Sequence, residues 1–490
     1  MTVAEAPVRP RPPRTGHPSP MSLWRLLWLE LRRNAMPWMF PLLAALFVFD
    51  PFRTAMDYPP LWDLRASVVV NKLLPDFVAF VAGVAAWMGS RDSRRHTADL
   101  VVATPRPRWT AWLVTWAATT IWAVILYLCG VAVIYGVTAT QATWGHPLWW
   151  PVAAGCAELA VISALGFAVG VLFPSRFTAP LAALGAFFLS VEGFNNAVGQ
   201  SSVYALLSPS TSVPPQDVGV FYHYLPDVAI AQLMFLLGLT AVVLGGLGLA
   251  QAADGGRRLR RAAAVLGVAG LAATGTAIGL VGTAHEGSAG EVIPALHDAA
   301  NDRLIAFTPV CGPADGVAVC VAPAYRPYLH DVTAGFRPAL REVAGLPGAP
   351  ARITQMGDPT LSQPLGKFSG SPPVLSYSMP VLGSAFGQTT RGFTQNLQDL
   401  FVAAFIAGPR GFVGQGGTPA QQVVQTVLLK AIGSPWGPPG PGGGPPSPPS
   451  PAMTAAVTRF AALPAGARHA WLATHLAALR AGHITLAQLP

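Results

Sequence analysis

The sequence predicts an α-helical polytopic membrane protein of about seven transmembrane helices, with a C-terminal α+β domain outside the membrane. Three observations predict this class. Hydrophobic residues make up 52% of the chain and charged residues only 11%, against roughly a quarter charged in soluble domains. Long apolar stretches recur along the first part of the sequence, and arginines cluster between them. The net charge of +9 therefore belongs to membrane loops, and no extended basic surface indicates a nucleic-acid partner.

The amino-terminal region divides into a tail and an amphipathic segment. Residues 1–20 are rich in Pro and Arg and lack an apolar core, which predicts a disordered cytoplasmic tail and not a signal peptide. Residues 21–34, MSLWRLLWLELRRN, place Leu and Trp on one helical face and Arg mainly elsewhere. This pattern favours a helix that lies in the membrane interface. The alternative is that it forms the first turns of the next membrane helix.

A transmembrane domain is predicted over residues 35–284. A membrane-spanning helix needs about twenty mostly apolar residues. The stretches that meet this requirement are 35–52, 68–89, 111–137, 149–173, 179–198, 228–252 and 262–284. The first is short and the second begins with Asn71, Lys72 and Asp76, so these two fit the pattern least well.

The arginines predict the orientation of these spans. One set of loops holds Arg32, Arg33, Arg91, Arg94, Arg95, Arg106, Arg108, Arg176, Arg257, Arg258, Arg260 and Arg261. The alternate loops hold chiefly Arg53 and Arg65. With seven spans, every arginine-rich loop falls on one side, which the positive-inside rule assigns to the cytoplasm. The amino terminus is then inside, and everything after Ala284 is outside a cell membrane.

The region after the last span is predicted to be an α+β domain over residues 285–434. Strand-like segments are 304–310, 317–323, 351–356 and 374–379, and helix-like segments are 327–343, 390–407 and 419–432. Residues 435–451 are rich in Pro and Gly and read as a linker. Residues 452–490 predict a helical segment that docks back on the domain, with Gly482 ending the helix.

Two cysteines in this outer region provide an independent test of sidedness. Cys311 and Cys320 lie on two short predicted strands around a Pro-Ala-Asp-Gly turn, where facing cysteines can reach disulfide geometry. A disulfide persists in an oxidising compartment, which agrees with an external domain. A pair of free thiols is the alternative, and a metal site is disfavoured because no second Cys or His pair stands at ligand spacing.

Catalytic and cofactor motifs were sought and none was found. The chain contains no G-x-x-x-x-G-K-[ST], so it is not its own P-loop ATPase, and it contains no H-E-x-x-H and no G-x-S-x-G. We therefore predict no catalytic residue, no cofactor and no metal ligand.

A few polar residues within the predicted spans are candidates for a translocation pathway. Glu158 lies about nine residues into its span, roughly 13 Å deep at the helical rise, and a buried ionisable group there is costly unless it faces the bundle interior or a wet cavity. Asp76, Glu192 and Asn195 lie nearer the outer ends of their spans, where solvation at the interface is the alternative. The segments Gly166–Gly170 and Gly275–Gly279 could allow close helix packing.

The loop between the second and third spans is amphipathic as well as charged. Its sequence SRRHTADLVVATPRPRW, residues 93–109, places Leu100 and Val101 after a candidate helix start and ends in prolines that cannot continue a helix. A short helix on the inner membrane surface is predicted. The alternative is a loop whose arginines only fix topology and contact anionic lipid.

These segments together resemble the permease subunits of ABC-2-type ABC transporters, most closely actinobacterial members. The resemblance is carried by LWRLLWLELRRN and WMGSRDSRRHTADLVVATPRPRW and extends over about residues 21–252. It implies a coupling segment that docks on a separate cytoplasmic ATPase subunit, a second permease subunit in a homo- or heterodimer, and energy supplied by the partner ATPase. The coupling residues that it implies are Arg94, Arg95, Asp99, Leu100, Val101, Arg106 and Arg108.

This chain departs from the family pattern of six spans with both termini inside. Its seventh span leads to the external domain, which is similar to tails on some actinobacterial permeases. The expectation is a permease subunit, with the resemblance favouring export. Two alternatives stay open: a non-transporting membrane protein whose external domain binds a ligand or envelope partner, and a membrane enzyme with an unrecognised site.

Overall fold

The computed structural model describes residues 20–94, 107–190, 199, 202–213, 218–250, 257–287, 289–356, 366–379, 390–408, 417–434 and 450–490. Within them, a bundle of apolar helices precedes a domain built on a small mixed sheet. Among the described residues, six helices are long and apolar enough to cross a membrane: Leu23–Asp57, Trp62–Gly89, Arg108–Gln141, Trp149–Leu172, Asp227–Ala250 and Arg257–Val281. A shorter apolar helix, Thr178–Phe188, lies between the fourth and fifth of these. The chain is thus a helical multi-pass membrane protein with a C-terminal domain.

The first helical region is interrupted in two places. Helix α1 (Pro20–Arg33) corresponds to the predicted amphipathic segment and is followed by a 3-10 turn (Met36–Met39), α2 (Phe40–Phe47), a π turn (Val48–Phe52) and α3 (Arg53–Asp57). Asn34 accepts the N–H of Met36 at 2.9 Å, next to Pro37, which cannot donate a backbone hydrogen bond. Pro51 lies inside the π turn. The apolar region extends past the predicted limit of residue 52 because the π turn accommodates this proline.

The second span begins six residues earlier than predicted, at Trp62 instead of 68. It consists of α4 (Trp62–Val68), a π turn (Val69–Leu73) and α5 (Leu74–Gly89), and a four-residue helix α6 (Arg91–Arg94) follows. Arg65 is only 2% exposed, since it donates to Thr138 Oγ1 at 3.2 Å and Gln141 Oε1 at 2.7 Å. Sequence hydropathy placed the helix start too late, because it cannot anticipate partners that lie more than seventy residues away.

The remaining bundle helices are α7 (Arg108–Gln141), α8 (Trp149–Leu172), α9 (Thr178–Phe188), α10 (Val218–Phe221), α11 (Asp227–Ala250) and α12 (Arg257–Val281). Helices α5 and α8 run parallel and approach closely, since a Cβ placed on Gly166 would lie 2.5 Å from the Ala82 carbonyl oxygen. Helices α11 and α12 pack as a hairpin, with Gly238 against Gly270.

One of the two predicted glycine contacts is wrong. A Cβ on Gly275 or Gly279 would meet nothing within 4 Å, so these residues do not bring helices together within the described chain. The close approach of α12 instead uses Gly270, where a Cβ would lie 2.6 Å from the Gly238 carbonyl oxygen. Gly166 and Gly170 do lie at a close helix contact, as predicted.

The arginine-flanked helix ends gather at one end of the bundle, here called the arginine-rich end and defined by Arg91, Arg108, Arg176 and Arg257. Trp109, at the start of α7, donates to the Leu244 carbonyl near the end of α11 at 3.0 Å. Helix α8 runs antiparallel to α7, since Tyr135 donates to the Leu148 carbonyl at 2.9 Å near the opposite end. The end of α8 therefore lies beside the start of α7.

The C-terminal domain begins at the opposite end. A hairpin of β1 (His285–Gly287) and β2 (Gly290–Val292), which was not predicted, follows α12 directly. The N–H of Ile293 donates to Asp227 Oδ2 at 3.0 Å, which attaches this segment to the start of α11.

A five-stranded sheet in the order β3-β4-β5-β7-β6 forms the centre of this domain. Its strands are β3 (Val310–Ala314), β4 (Val317–Val321), β5 (Arg352–Gln355), β6 (Gly366–Ser369) and β7 (Val374–Tyr377). The β4–β5 and β5–β7 pairs are parallel, and the two edge pairs are antiparallel. The strand predicted over 304–310 is wrong except at Val310, because the Ile305 N–H donates to the Phe221 carbonyl of the bundle at 2.7 Å instead.

In the described part of the domain, five α-helices accompany the sheet: α13 (Leu329–Val343), α14 (Thr390–Ala407), α15 (Pro419–Ala431), α16 (Pro451–Ala461) and α17 (Ala465–Arg480). The core between sheet and helices contains Phe336, Phe368, Tyr377, Phe401 and Phe405, all almost fully buried. The C-terminal segment docks on the domain, since Arg468 pairs with Glu342 at 3.0 Å. It forms two helices instead of one because Pro464 separates them, and Gly482 with φ of 75° ends the second.

Candidate functional site

Most of the predicted coupling segment lies outside the described residues. Arg95, Asp99, Leu100, Val101 and Arg106 belong to that part. Arg94 ends α6 and Arg108 begins α7, so the two described members flank the segment at the arginine-rich end.

The Arg94 side chain lies over the carboxyl end of the preceding helix, α5. Its guanidinium donates to the Trp87 carbonyl at 2.7 Å and to Ser90 Oγ at 3.1 Å. The same group lies 3.3 Å from the centroid of the Trp87 ring, within cation–π range. Because these contacts add a hydrogen bond to a carbonyl at the helix end, Arg94 stabilises the carboxyl end of α5.

A bidentate ion pair joins α1 to the residues that precede the segment. Arg91 donates to both carboxylate oxygens of Glu30, at 2.8 and 3.0 Å. The two side chains are only 22% and 18% exposed. The hydrogen bond to Glu30 raises the pKa of Arg91, against the opposing effect of burial. Two parallel charge-assisted hydrogen bonds fix both the distance and the mutual orientation of the groups.

A cleft of about 720 Å³ opens between α1 and the end of α5. It is lined by Glu30, Arg33, Asn34, Trp38, Trp87 and Arg91. Asn34 in turn donates to Thr119 Oγ1 of α7 at 2.9 Å, and Trp122 donates to the Leu31 carbonyl at 2.9 Å. The amphipathic helix is therefore bonded both to α6 and to α7, the two helices that flank the predicted coupling segment.

The candidate pathway residues do not form one group within the described chain. Glu158 is 8% exposed in the middle of α8 and accepts a hydrogen bond from Ser190 at 3.2 Å. Asp76 instead lies near Asp50 and Lys72, which are themselves 3.8 Å apart. Glu192 and Asn195 lie outside the described residues. Apolar packing does not account for a carboxylate buried in the middle of an apolar helix, so Glu158 is still a candidate functional residue.

Sequence reasoning missed several buried polar residues that hold helices together. Gln232 of α11 donates to the carbonyls of Leu206 and Ser208 at 2.8 and 2.7 Å. Thr120 and Ser163 share a hydrogen bond between α7 and α8. The available signal was an isolated polar residue within a long apolar stretch, which indicates an interhelical hydrogen bond more often than a ligand site.

Cys311 and Cys320 form the predicted disulfide. They are directly opposite each other on β3 and β4. The turn between these strands uses Asp315 at φ 46° and Gly316 at φ 82°, as a two-residue hairpin requires. Among the residues that the structure describes, no three His, Cys, Asp or Glu side chains are grouped so as to hold a metal ion.

No protein-family model, curated protein or solved structure matches this chain. Its function is therefore inferred from its own residues and their arrangement.

Proposed function

We propose that this chain is the membrane-spanning permease subunit of an ABC-2-type transporter, driven by a separate cytoplasmic ATPase and paired with a second permease subunit. The resemblance of about residues 21–252 to that family supports the proposal, and it favours export. In this function, ATP binding moves the coupling segment and rocks the helices between inward- and outward-open states.

The proposal includes seven crossings, with the arginine-rich end in the cytoplasm. Helix α9 is short, but Ser190 beyond it reaches Glu158 in the middle of α8. The described segment that begins at Ser202 lies at the end of the bundle opposite the arginines, where Gln232 donates to the Leu206 carbonyl. A crossing between Thr178 and Ser202 therefore accounts for both positions. The disulfide and the positive-inside rule both support an external C-terminal domain in a cell membrane.

The observation that carries the proposal is the Glu30–Arg91 pair. A coupling segment can drive transport only if its movement reaches the spanning helices. Arg91 precedes the segment by a few residues and is bonded to α1 in two-point geometry. A partner that pulls on the segment would therefore move α1 and the end of α5 together.

The test is copurification of the ATPase with a Leu100→Asp variant. A docking helix needs an apolar anchor, and a carboxylate buried unpaired in that contact would cost several kcal/mol. We expect ATPase recovery to fall at least tenfold, while membrane insertion stays normal because no arginine is lost.

Arg94→Ala is the matched control. Its guanidinium is already bonded to the end of α5, so ATPase recovery should fall only slightly. If the loop merely sets topology, Leu100→Asp is silent and only the removal of several arginines together has an effect. Normal ATPase recovery with Leu100→Asp would therefore end the coupling assignment.

A second candidate function is a non-transporting membrane protein whose external domain binds a ligand or envelope partner. The observation in its favour is the domain itself, which has its own aromatic core and a disulfide. Wild-type protein that recovers envelope proteins but no ATPase would support this candidate over the first.

A further inference from the structure

The Cys311–Cys320 disulfide lies on the face of the five-stranded sheet that points away from the domain core. Cys311, Cys320 and Thr354 are paired directly across β3, β4 and β5. Val319 and Ile353, their neighbours along the strands, are fully buried in the core. Because successive side chains of a strand point to opposite faces, the disulfide belongs to the other face, here called the outer face of the sheet.

The two sulfur atoms of the disulfide differ in access. Cys311 is exposed and belongs to β3, an edge strand, whereas Cys320 is 0% exposed on the next strand inward. A thiolate displaces one sulfur of a disulfide by approaching the other, and it does so in line with the S–S bond, opposite the sulfur that departs. The accessible approach, from the edge of the sheet, therefore leads to Cys311 Sγ and makes Cys320 Sγ the departing sulfur.

Arg352 of β5 holds a cation against both sulfur atoms. Its guanidinium donates to Cys320 Sγ at 3.3 Å and to Cys311 Sγ at 3.6 Å. A neighbouring arginine stabilises a thiolate relative to the neutral thiol, and a more stable leaving thiolate departs faster. The nearer of the two sulfurs to this cation is the one that would depart in an attack from the edge.

The other charges of the sheet act in the same direction. Its described strands carry two charged residues, Arg352 and Lys367, and both are cationic. Lys367 lies on the outer face, in register with Cys320 across the strands between them. Asp315, in the turn that joins β3 to β4, is paired with Arg341 at 3.1 Å. The surroundings of the disulfide therefore favour a product that carries negative charge on sulfur.

We propose that this disulfide is a site of thiol–disulfide exchange with an extracytoplasmic dithiol, in addition to being a structural cross-link. The attacking thiolate forms a bond with Cys311 Sγ, the Cys311–Cys320 bond breaks, and its electron pair departs on Cys320 Sγ beside Arg352. The second thiol of the dithiol then loses its proton, attacks the first sulfur of the dithiol and releases Cys311 as a thiolate. The dithiol ends as a disulfide, and two electrons and two protons pass to the cysteines.

The disulfide is the resting form of this site, because an oxidising compartment restores it after each exchange. The external position of the site is taken from the proposed topology. The exchange chemistry rests only on the C-terminal domain, so it holds for either candidate function and can fail independently of both.

The experiment measures how fast dithiothreitol reduces the disulfide in the purified full chain, held in lipid nanodiscs without denaturant. Thiols are trapped with a maleimide at intervals and assigned to Cys311 and Cys320 by peptide mass spectrometry. We expect reduction in the native state, slowed by about threefold or more in Arg352→Gln and nearly as fast as wild type in Arg352→Lys. Arg337→Gln is the matched control, because it removes an exposed arginine of α13, and its rate should equal that of wild type.

Reduced glutathione, a monothiol, provides a second measurement that needs no substitution. After a brief exposure and an acid quench, its mixed disulfide should be found on Cys311 and not on Cys320. A mixed disulfide on Cys320 would overturn the proposal, as would a disulfide that dithiothreitol reduces only after urea is added. Arg352→Gln that is reduced as fast as wild type, or faster, would overturn it too, since a purely structural arginine would loosen the strands when removed.

Discussion

Several charged and polar residues in the interior of this molecule lie beside a neighbour that hydrogen-bonds them. Arg65, at the end of the bundle opposite the arginine-rich end, donates to Thr138 and Gln141. Tyr328 of the C-terminal domain lies close enough to interact with its charge. Burial raises the pKa of Tyr328 above its ordinary value. Replacing such a residue removes a contact between elements that are distant in sequence.

Asp399 makes the stability of the C-terminal domain depend on pH. Burial raises the pKa of this carboxyl to about 7, although a hydrogen bond from Ser434 at 3.2 Å opposes the shift. In the unfolded chain the group titrates near pH 4. Between about pH 4 and 7 the folded domain holds a proton that the unfolded chain has released, so the free energy of unfolding falls as pH rises through that window.

We therefore expect the domain to resist urea better at pH 5 than at pH 8, with Asp399→Asn flattening the difference. Proteolysis of the domain in increasing urea, in protein with an intact bundle, measures this. Ser434→Ala should enlarge the pH difference, because it removes the contact that favours the ionised form. A pH dependence unchanged in Asp399→Asn would assign the effect to another group.

The disulfide is expected to contribute about 2–3 kcal/mol to the domain, mainly by closing a short loop in the unfolded chain. Urea unfolding of a Cys311→Ser, Cys320→Ser double variant should show a loss of that size. Alkylation should label both thiols only after reduction. Labelling in intact, non-reduced cells would contradict an oxidising location for the domain.

At the scale of elements, close helix contacts depend on particular glycines. A Cβ at Gly166 would lie 2.5 Å from the Ala82 carbonyl oxygen, so α5 and α8 would have to separate. We expect Gly166→Ala to lower the free energy of unfolding by about 1–3 kcal/mol, measured as a reduced thermal midpoint in detergent. Gly275→Ala is the matched control, because nothing lies within 4 Å of its position and the change should be close to neutral. Equal effects of the two variants would refute the packing argument.

Helices were the elements best predicted from sequence. The limits of α14, 390–407, match the structure at both ends, because its apolar periodicity is flanked by residues that do not continue it. The Cys311–Cys320 hairpin was predictable because its turn residues favour positive φ. The strand predicted at 304–310 failed because Ile305 pairs with the bundle instead of the sheet.

The candidate site was predictable in a more limited sense. The sequence located Arg94 and Arg108 in a loop, but it could not pair Arg91 with Glu30, which are 61 residues apart. The cavity lined by Trp62, Trp144 and Tyr224 was likewise hidden, because these residues come from three separate segments. Local patterns identify elements, whereas contacts between distant segments require the folded chain.

At the scale of the whole molecule, the two ends of the bundle differ in charge and in what they carry. One end gathers the arginines that flank α5, α7, α8 and α12, and the other carries the disulfide-bonded domain. A membrane protein retains its basic loops in the cytoplasm. The charge asymmetry and the disulfide therefore favour the same orientation, although they rest on unrelated physical causes.

The resulting topology is tested with reporter fusions in intact cells. A reporter at Ser93, at the arginine-rich end, should be cytoplasmic, and one after Gly287, beyond α12, should be external. Two further fusions serve as controls: one at Thr143, between α7 and α8, should be external, and one at Ser175, after α8, should be cytoplasmic.

The decisive comparison is Ser175 with Gly287, because they lie on opposite sides only if the chain crosses three times between them. Even if the short helix α9 lies in the membrane without spanning it, α11 and α12 still cross, and then both reporters are on one side. That result, with Ser93 and Ser175 both cytoplasmic, would place the disulfide-bonded domain inside the cell and contradict the seven-crossing architecture.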